Sequence, residues 1–460
     1  MSEQNFDIVI LGGGSGGYAC ALRASQLGLN VALIERDKLG GTCLHRGCIP
    51  TKALLHAAEV ADLARDSSHY GVYTELQGID INKVNEYRDG VVSKLYKGLQ
   101  GLVSHGKTIT YIEGNGRLVA NNTVEVDGTR YVGKNVVLAT GSYARSLPGL
   151  EIGGRIVTSD QALNLDWIPS KVIVLGGGVI GVEFASVWRS FGSEVTVIEG
   201  LPRIVPAEEE SVSKALDRAF RKRGITVKAG VKFANATQTD EKVSVSLESG
   251  ETLDADLLLV AVGRGANGSG HGFEEVGITV DRGWVPTNDR LQTNLPNVFA
   301  IGDLVPGLQL AHRGFQHGIF VAEEIAGLSP RVIDEKAIPR VTYCEPEIAS
   351  VGYTETQAKE KYGADNIESY EYNLGGNGKS QILGTAGFIK LIRTKNGGPI
   401  VGVHMIGSRV GEQIGEAQLI YAWEATPEDV APYVHAHPTQ NEALGEAHLA
   451  LAGKPLHAHA

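Results

Sequence analysis

Apolar residues in this chain gather into short runs that stop on glycine. Residues 6–11 run into glycines at 12–17, and residues 171–175 into glycines at 176–181. The runs 135–139, 257–262 and 297–301 likewise end at Gly141, Gly263 and Gly302. Such runs predict strands buried on both faces, each turning sharply at its end. After each of the first two comes a helix-like stretch and a second apolar run, residues 31–35 and 194–199, which predicts β-helix-β units in a parallel sheet. A helical stretch passes through residues 94–99, and short strand and turn segments follow around 111–116. Residues 51–58 are good helix formers, and Ile49-Pro50 predicts a helix start with proline at the first helical position. From about Ile338 the pattern changes to strand-like segments and longer helices, including residues 411–424, which predicts a separate α+β unit.

Composition narrows this picture. The chain has 460 residues, room for about three domains, and its 59 glycines are spread along it, as an α/β protein with many tight turns requires. The formal net charge of -11 and the lack of basic runs argue against nucleic acid or an anionic membrane surface as partner. No apolar stretch reaches the length of a membrane span. Residues 1–7 are acidic and lead directly into a strand, unlike a secretory signal, so a cytoplasmic protein is expected. Four cysteines are too few for a secreted disulfide framework.

The candidate chemistry lies in three places. Both glycine turns fit G-x-G-x-x-G, and each is followed eighteen positions after its last glycine by an acid, Glu35 and Glu199. Repeated in register with strand and helix, the pattern predicts two dinucleotide sites, with pyrophosphate at a helix N-terminus and the acid on a ribose. A carboxylate at Glu199 would accept from a ribose 2′-OH and repel a 2′-phosphate, and a lone Arg203 nearby does not make a phosphate clamp.

The second place is GGTCLHRGCIPTK, residues 40–52. On a regular helix residues five apart are separated by about 7.5 Å along the axis, too far for a disulfide. The chain must bend between Cys43 and Cys48, as Gly40, Gly41 and Gly47 permit. Cys48 then begins a helix, whose dipole and free N–H groups favour its thiolate. Cys20 reads as a small core residue, and Cys344 has no partner at suitable spacing. The third place is HAHPTQNE, residues 435–442, where either His435 or His437 qualifies as a base near neutral pH. A zinc role for Cys43 and Cys48 lacks two further ligands at compatible spacing, and the terminal His457 and His459 read as a frayed end.

These motifs, with ATGS at 139–142, AVGR at 261–264 and AIGD at 300–303, resemble the group I pyridine nucleotide-disulfide oxidoreductases from about Phe6 to His457. The resemblance implies two Rossmann-like domains and an α+β C-terminal dimerisation domain: FAD-binding 1–150, NAD-binding 151–270, a central domain 271–337 completing the FAD site, and an interface domain 338–460. It assigns Gly12, Gly14, Gly17, Glu35, Thr42, Lys52, Gly141 and Asp303 to FAD. Gly176, Gly178, Ile180, Gly181, Glu199, Gly263 and Arg264 fall to NAD, although Gly265-Ala266-Asn267 departs from the usual continuation with proline. Lys52 and Glu183 match an ion pair beside the flavin. His437, with Glu442 as its carboxylate partner, matches the base of a thiol half-reaction, in which Cys43 meets substrate and Cys48 the flavin. The implied activity is oxidation of protein-bound dihydrolipoyl groups by a homodimer, using NAD and serving lipoyl domains and the acyltransferase core of 2-oxoacid dehydrogenase complexes or glycine cleavage. The rival enzyme is an NAD(P)H-dependent reductase of a glutathione-like or mycothiol-like disulfide; a nucleotide-binding scaffold without turnover would be colourless.

Overall fold

The computed structural model describes residues 2–457. Its first sheet places the strands Ile109–Glu113, Val31–Glu35, Glu3–Leu11 and Thr129–Leu138 side by side, all parallel. Alternate residues of these strands go to opposite faces. Ile8, Ile10, Val31 and Leu33 pack with Cys20, Ala21 and Ala24 of the helix Ser15–Gln26, while Val9, Leu11, Ala32 and Ile34 pack with Leu118 and Val124. Both faces are therefore core, which is why the sequence reads as unbroken apolar runs.

On the edge away from Glu3–Leu11, the strand Thr129–Leu138 serves two neighbours. Its first half pairs antiparallel with Thr123–Val126, and its second half pairs parallel with Val298–Ala300. The stretch 271–337 is thus built into the first sheet. It also supplies the helix Ala311–Ile325, which lies on Ser15–Gln26 at a contact of glycines: a Cβ on Gly318 would stand 2.3 Å from the Gly16 carbonyl oxygen.

The second sheet repeats the plan with five parallel strands in the order Thr226–Ala229, Glu194–Glu199, Lys171–Leu175, Leu257–Val260, Ile156–Thr158. The short strands Ser142–Ala144 and Arg264–Ala266 pair antiparallel where the chain passes between the two units. The C-terminal unit is a five-stranded antiparallel sheet, Arg340–Thr342, Glu347–Gly352, Ile400–Gly407, Phe388–Thr394, Ile367–Asn373, packed with the helices Val410–Ala422 and Glu442–Leu451. No described helix is long and apolar enough to cross a membrane.

Candidate functional site

The two glycine turns divide their labour alike. Gly12 and Gly176 have positive φ, and a Cβ on either would meet the carbonyl oxygen of Ala139 or Ala261 at 2.3 Å. A Cβ on Gly17 or Gly181 would stand 1.8 or 1.9 Å from the carbonyl oxygen of the first glycine. These positions let strand and helix close on each other. The middle glycines differ: Gly178 has nothing within 4 Å of its missing Cβ, and Gly14 only the Gly41 Cα at 3.9 Å. Each precedes a helix, Ser15–Gln26 or Val179–Ser190, whose first N–H groups have no side-chain cap, and so leaves an open cradle for an anion.

The acids are pre-aimed. Glu35 accepts from the Gly13 N–H at 2.7 Å and the Asp37 N–H at 2.8 Å, and Glu199 accepts from Gly177 and Leu201 at the same distances. Each carboxylate is fixed at its strand end by the glycine turn beside it, with further lone pairs left to accept hydrogen bonds. Arg203 donates to the Pro206 and Glu208 carbonyls, and so is committed to its own loop. Substituting Gly178→Ala should leave thermal unfolding unchanged while weakening dinucleotide binding about tenfold, near 1.4 kcal/mol. Gly181→Ala should lower the melting temperature by roughly 5 °C or more. Thermal melts with dinucleotide titrations check both.

The cysteines occupy two successive helices, Gly41–Arg46 and Cys48–Asp66, broken at Gly47 with φ -146 and ψ -110. The second helix begins two residues earlier than proline placement suggests, at Cys48. Pro50 fits as its third residue because the first four N–H groups of a helix have no intrahelical acceptor. Both cysteines are half-buried free thiols in this structure, and Thr42 precedes Cys43 on the first helix. The hydrogen bond from Cys43, aided by the Lys52 charge and opposed by burial, lowers the Cys48 thiol to about 7. The same bond and burial raise Cys43. Of the two thiols, Cys48 is therefore the more acidic.

Lys52, one turn further along, donates to both Glu183 oxygens at 2.9 and 2.8 Å. Glu183 is 3 % exposed and also accepts from the Tyr343 N–H at 2.9 Å, while the Lys52 ammonium lies 4.9 Å from the centre of the Tyr343 ring. Burial opposes the lysine charge, but Glu183 outweighs it and Lys52 is held above its ordinary value. Ile180 is half-buried, one residue into the second glycine helix.

Around Asp303 lies a contact that sequence reasoning missed. Ser142 donates to Asp303 Oδ2 at 2.6 Å and accepts from Arg264 Nε at 2.8 Å, so one hydroxyl links the two turns begun by Gly141 and Gly263, both with positive φ. A serine after a glycine carries no local sign of partners more than a hundred residues away.

At the C-terminus His437 Nδ1 lies 2.8 Å from Glu442 Oε1, and Glu442 Oε2 accepts from the Thr439 N–H at 2.6 Å. Burial opposes the Glu442 charge, but these two bonds outweigh it and lower its pKa. The His437 side chain is 78 % exposed and its bond to Pro438 is cis. The Glu442 contact engages Nδ1 of the exposed ring. These hydrogen bonds run among residues of the C-terminal unit, whereas the cysteine pair is built into the first. Among the described residues no group of three or more His, Cys, Asp or Glu side chains could hold a metal ion; His459 lies outside the described residues.

The pyridine nucleotide-disulphide oxidoreductase family matches residues 6–318, and the dimerisation domain of that family matches residues 338–448. The chain is 41% identical to a dihydrolipoyl dehydrogenase of Bacillus subtilis, covering 98% of this chain and 99% of that one. It is 39% identical to dihydrolipoyl dehydrogenase 1, mitochondrial, of Arabidopsis thaliana, covering 99% and 92%. Among solved structures, LpdA from Mycobacterium tuberculosis shares the fold with a TM-score of 0.90 at 24% identity, covering 98% of this chain and all of that one. The HOCl-induced flavoprotein disulfide reductase RclA of Escherichia coli, as a Cu(II) complex, gives 0.87 at 26%, covering 97% and 100%.

Proposed function

The chain belongs to the pyridine nucleotide-disulphide oxidoreductase family, and on that premise we propose that it oxidises protein-bound dihydrolipoyl groups to lipoyl disulfide with NAD+ as acceptor. The observation that carries the reading is the presence in one chain of an exposed His437–Glu442 dyad and a cysteine pair in which Cys48 is the more acidic thiol, four residues before Lys52.

In this proposal residues 1–150 and 271–337 hold FAD, residues 151–270 hold NAD, and residues 338–460 form the interface of a homodimer. The cradles fit such ligands, because no Cβ fills them at Gly14 or Gly178 and because Glu35 and Glu199 stand at the ribose end. Gly12, Gly17, Glu35, Thr42, Lys52, Gly141 and Asp303 serve FAD; Gly176, Ile180, Gly181, Glu199, Gly263 and Arg264 serve NAD. Bound FAD supplies the two-electron link between the cysteine dithiol and the nicotinamide.

The chain's own residues do the thiol chemistry. His437 of one protomer takes the proton of a dihydrolipoyl thiol, and the resulting thiolate attacks Sγ of the partner subunit's Cys43 in its disulfide form. The Cys43–Cys48 bond breaks and Cys48 leaves as a thiolate, stabilised by the helix start and by Lys52. The second substrate thiol then attacks the substrate sulfur of the mixed disulfide and passes its proton to the departing Cys43, while the first proton stays on His437 until it exchanges with solvent. The substrate has lost two electrons and the cysteine pair has gained them. Lipoyl domains carried by the acyltransferase core of 2-oxoacid dehydrogenase complexes, or by glycine cleavage, are the proposed partners, and the cytoplasm, where thiols stay reduced, is the proposed compartment.

Steady-state kinetics with dihydrolipoamide, oxidised glutathione and related disulfides, run with NAD and NADP in parallel, test the proposal. Dihydrolipoamide with NAD+ should give the highest kcat/KM, and NAD should be preferred over NADP by at least about a hundredfold, since a 2′-phosphate beside Glu199 sets like charges together. Efficient glutathione reduction with NADPH would overturn the assignment.

A further inference from the structure

His437 is an exposed ring on a strap of chain, residues 431–441, and a base working across a subunit boundary needs that strap fixed. We propose that Glu416 is the positioning residue that fixes it. Glu416 lies on the helix Val410–Ala422, outside the dyad. Its Oε1 is 2.8 Å from His435 Nε2 and its Oε2 accepts from Asn441 Nδ2 at 2.8 Å. His435 precedes His437 by two residues, and Asn441 immediately precedes Glu442. One carboxylate therefore ties down both ends of the segment that carries the base and its acid.

The seat of His435 is shaped for this contact. A Cβ on Gly445, in the helix Glu442–Leu451, would stand 2.5 Å from His435 Nδ1, so the ring lies against that helix only because a glycine is there. The His435 side chain is 15 % exposed, against 78 % for His437. Of the two histidines that composition left open, His435 is thus the anchor, with its outer nitrogen spent on Glu416. On the other side, His448 is fully buried and donates Nδ1–H to the Leu444 carbonyl, so the carboxylate has no competing hydrogen bond from it.

The physical argument concerns reach. Glu442 orients the imidazole of His437 and holds the Thr439 N–H, and Asn377 and Gln440 hold the strap after the base; Glu416 adds the tether before it, at His435. A displacement of about 1 Å in a reacting group can cost on the order of a hundredfold in rate.

This inference rests on His437 being the base, and the experiment keeps the two apart. NADH oxidation by ferricyanide uses the nucleotide and flavin sites and bypasses the thiol half-reaction. Glu416→Ala should lower kcat with dihydrolipoamide by about tenfold to a hundredfold. Its ferricyanide rate, flavin content and KM for NAD+ should stay within about twofold of the parent on the same ground. Glu416→Gln, which keeps size and one acceptor, should fall between, and Asn441→Ala combined with Glu416→Ala should be no worse than Glu416→Ala alone. Parental dihydrolipoamide turnover in Glu416→Ala, or in Glu416→Gln and Asn441→Ala should Glu416→Ala not fold, overturns the tether. Equal loss of both activities, or loss of flavin, overturns it as well, by making Glu416 a residue of general stability. Unchanged turnover in His437→Gln instead overturns the assignment of the base.

Discussion

His437→Gln should lower dihydrolipoamide turnover by a factor of about a hundred to ten thousand while NADH oxidation by ferricyanide proceeds at the parental rate. Glutamine matches the reach of histidine and can still donate to Glu442, so the strap is expected to keep its shape. It cannot accept a proton at neutral pH, and the substrate thiol, with an ordinary pKa near 8.5, would have to ionise unaided. The exposure of His437 separates this loss from a folding defect, since its hydrogen bonds lie at the surface and the core beneath belongs to other residues. Steady-state rates of the two reactions on one preparation give the comparison. Parallel loss of both would remove the case for a base.

The second large effect concerns the cysteines, which should not be equivalent. Cys43→Ser and Cys48→Ser should both abolish dihydrolipoamide turnover, because no disulfide can form. They should part in the absorption spectrum of the variants with the flavin oxidised. Cys43→Ser keeps a thiolate at Cys48 and should keep absorption at wavelengths beyond the flavin bands; Cys48→Ser should lose it. In the parent that absorption should titrate with a midpoint near the lowered Cys48 value of about 7, present above it and lost below. Cys43→Ala removes the hydrogen bond that contributes most to the lowering and should move the midpoint upward, whereas Cys43→Ser retains a donor and should move it less. Survival of the long-wavelength band in Cys48→Ser would exchange the roles of the two sulfurs.

What could be read from the chain alone divides by distance along it. The glycine turns, Glu35, Glu199 and the bend between Cys43 and Cys48 are local devices, each contained within a few tens of residues, and spacing carries them. His437 and Glu442 are only five apart, but composition left His435 and His437 equal, and the pair was selected through resemblance. The contacts that complete the site are not local. Lys52 meets Glu183 across 131 positions and Ser142 meets Asp303 across 161, and no periodicity encodes such a meeting. The ion pair was anticipated through resemblance; the serine was not. The strand Val298–Ala300 was visible as an apolar run ending on glycine, but its neighbour was hidden, because parallel pairing needs a long crossover and gives no turn signal. Glu416 escaped for another reason: an acid on an amphipathic helix looks like a solvated charge until its two partners are seen.

The late strand and helix that join the first sheet also bear on how the nascent chain is made. The second unit holds all its sheet strands between residues 156 and 260. The first unit, begun at Glu3, lacks Val298–Ala300 and Ala311–Ile325 until those residues leave the ribosome. From Leu138 to Val298 that wait is roughly ten to thirty seconds of synthesis. During it, the flank of Thr129–Leu138 that will pair with Val298–Ala300 and the face of Ser15–Gln26 that will receive Ala311–Ile325 are uncovered. The domain started first is the one finished second, with its apolar edge open while its neighbour already has every strand it needs.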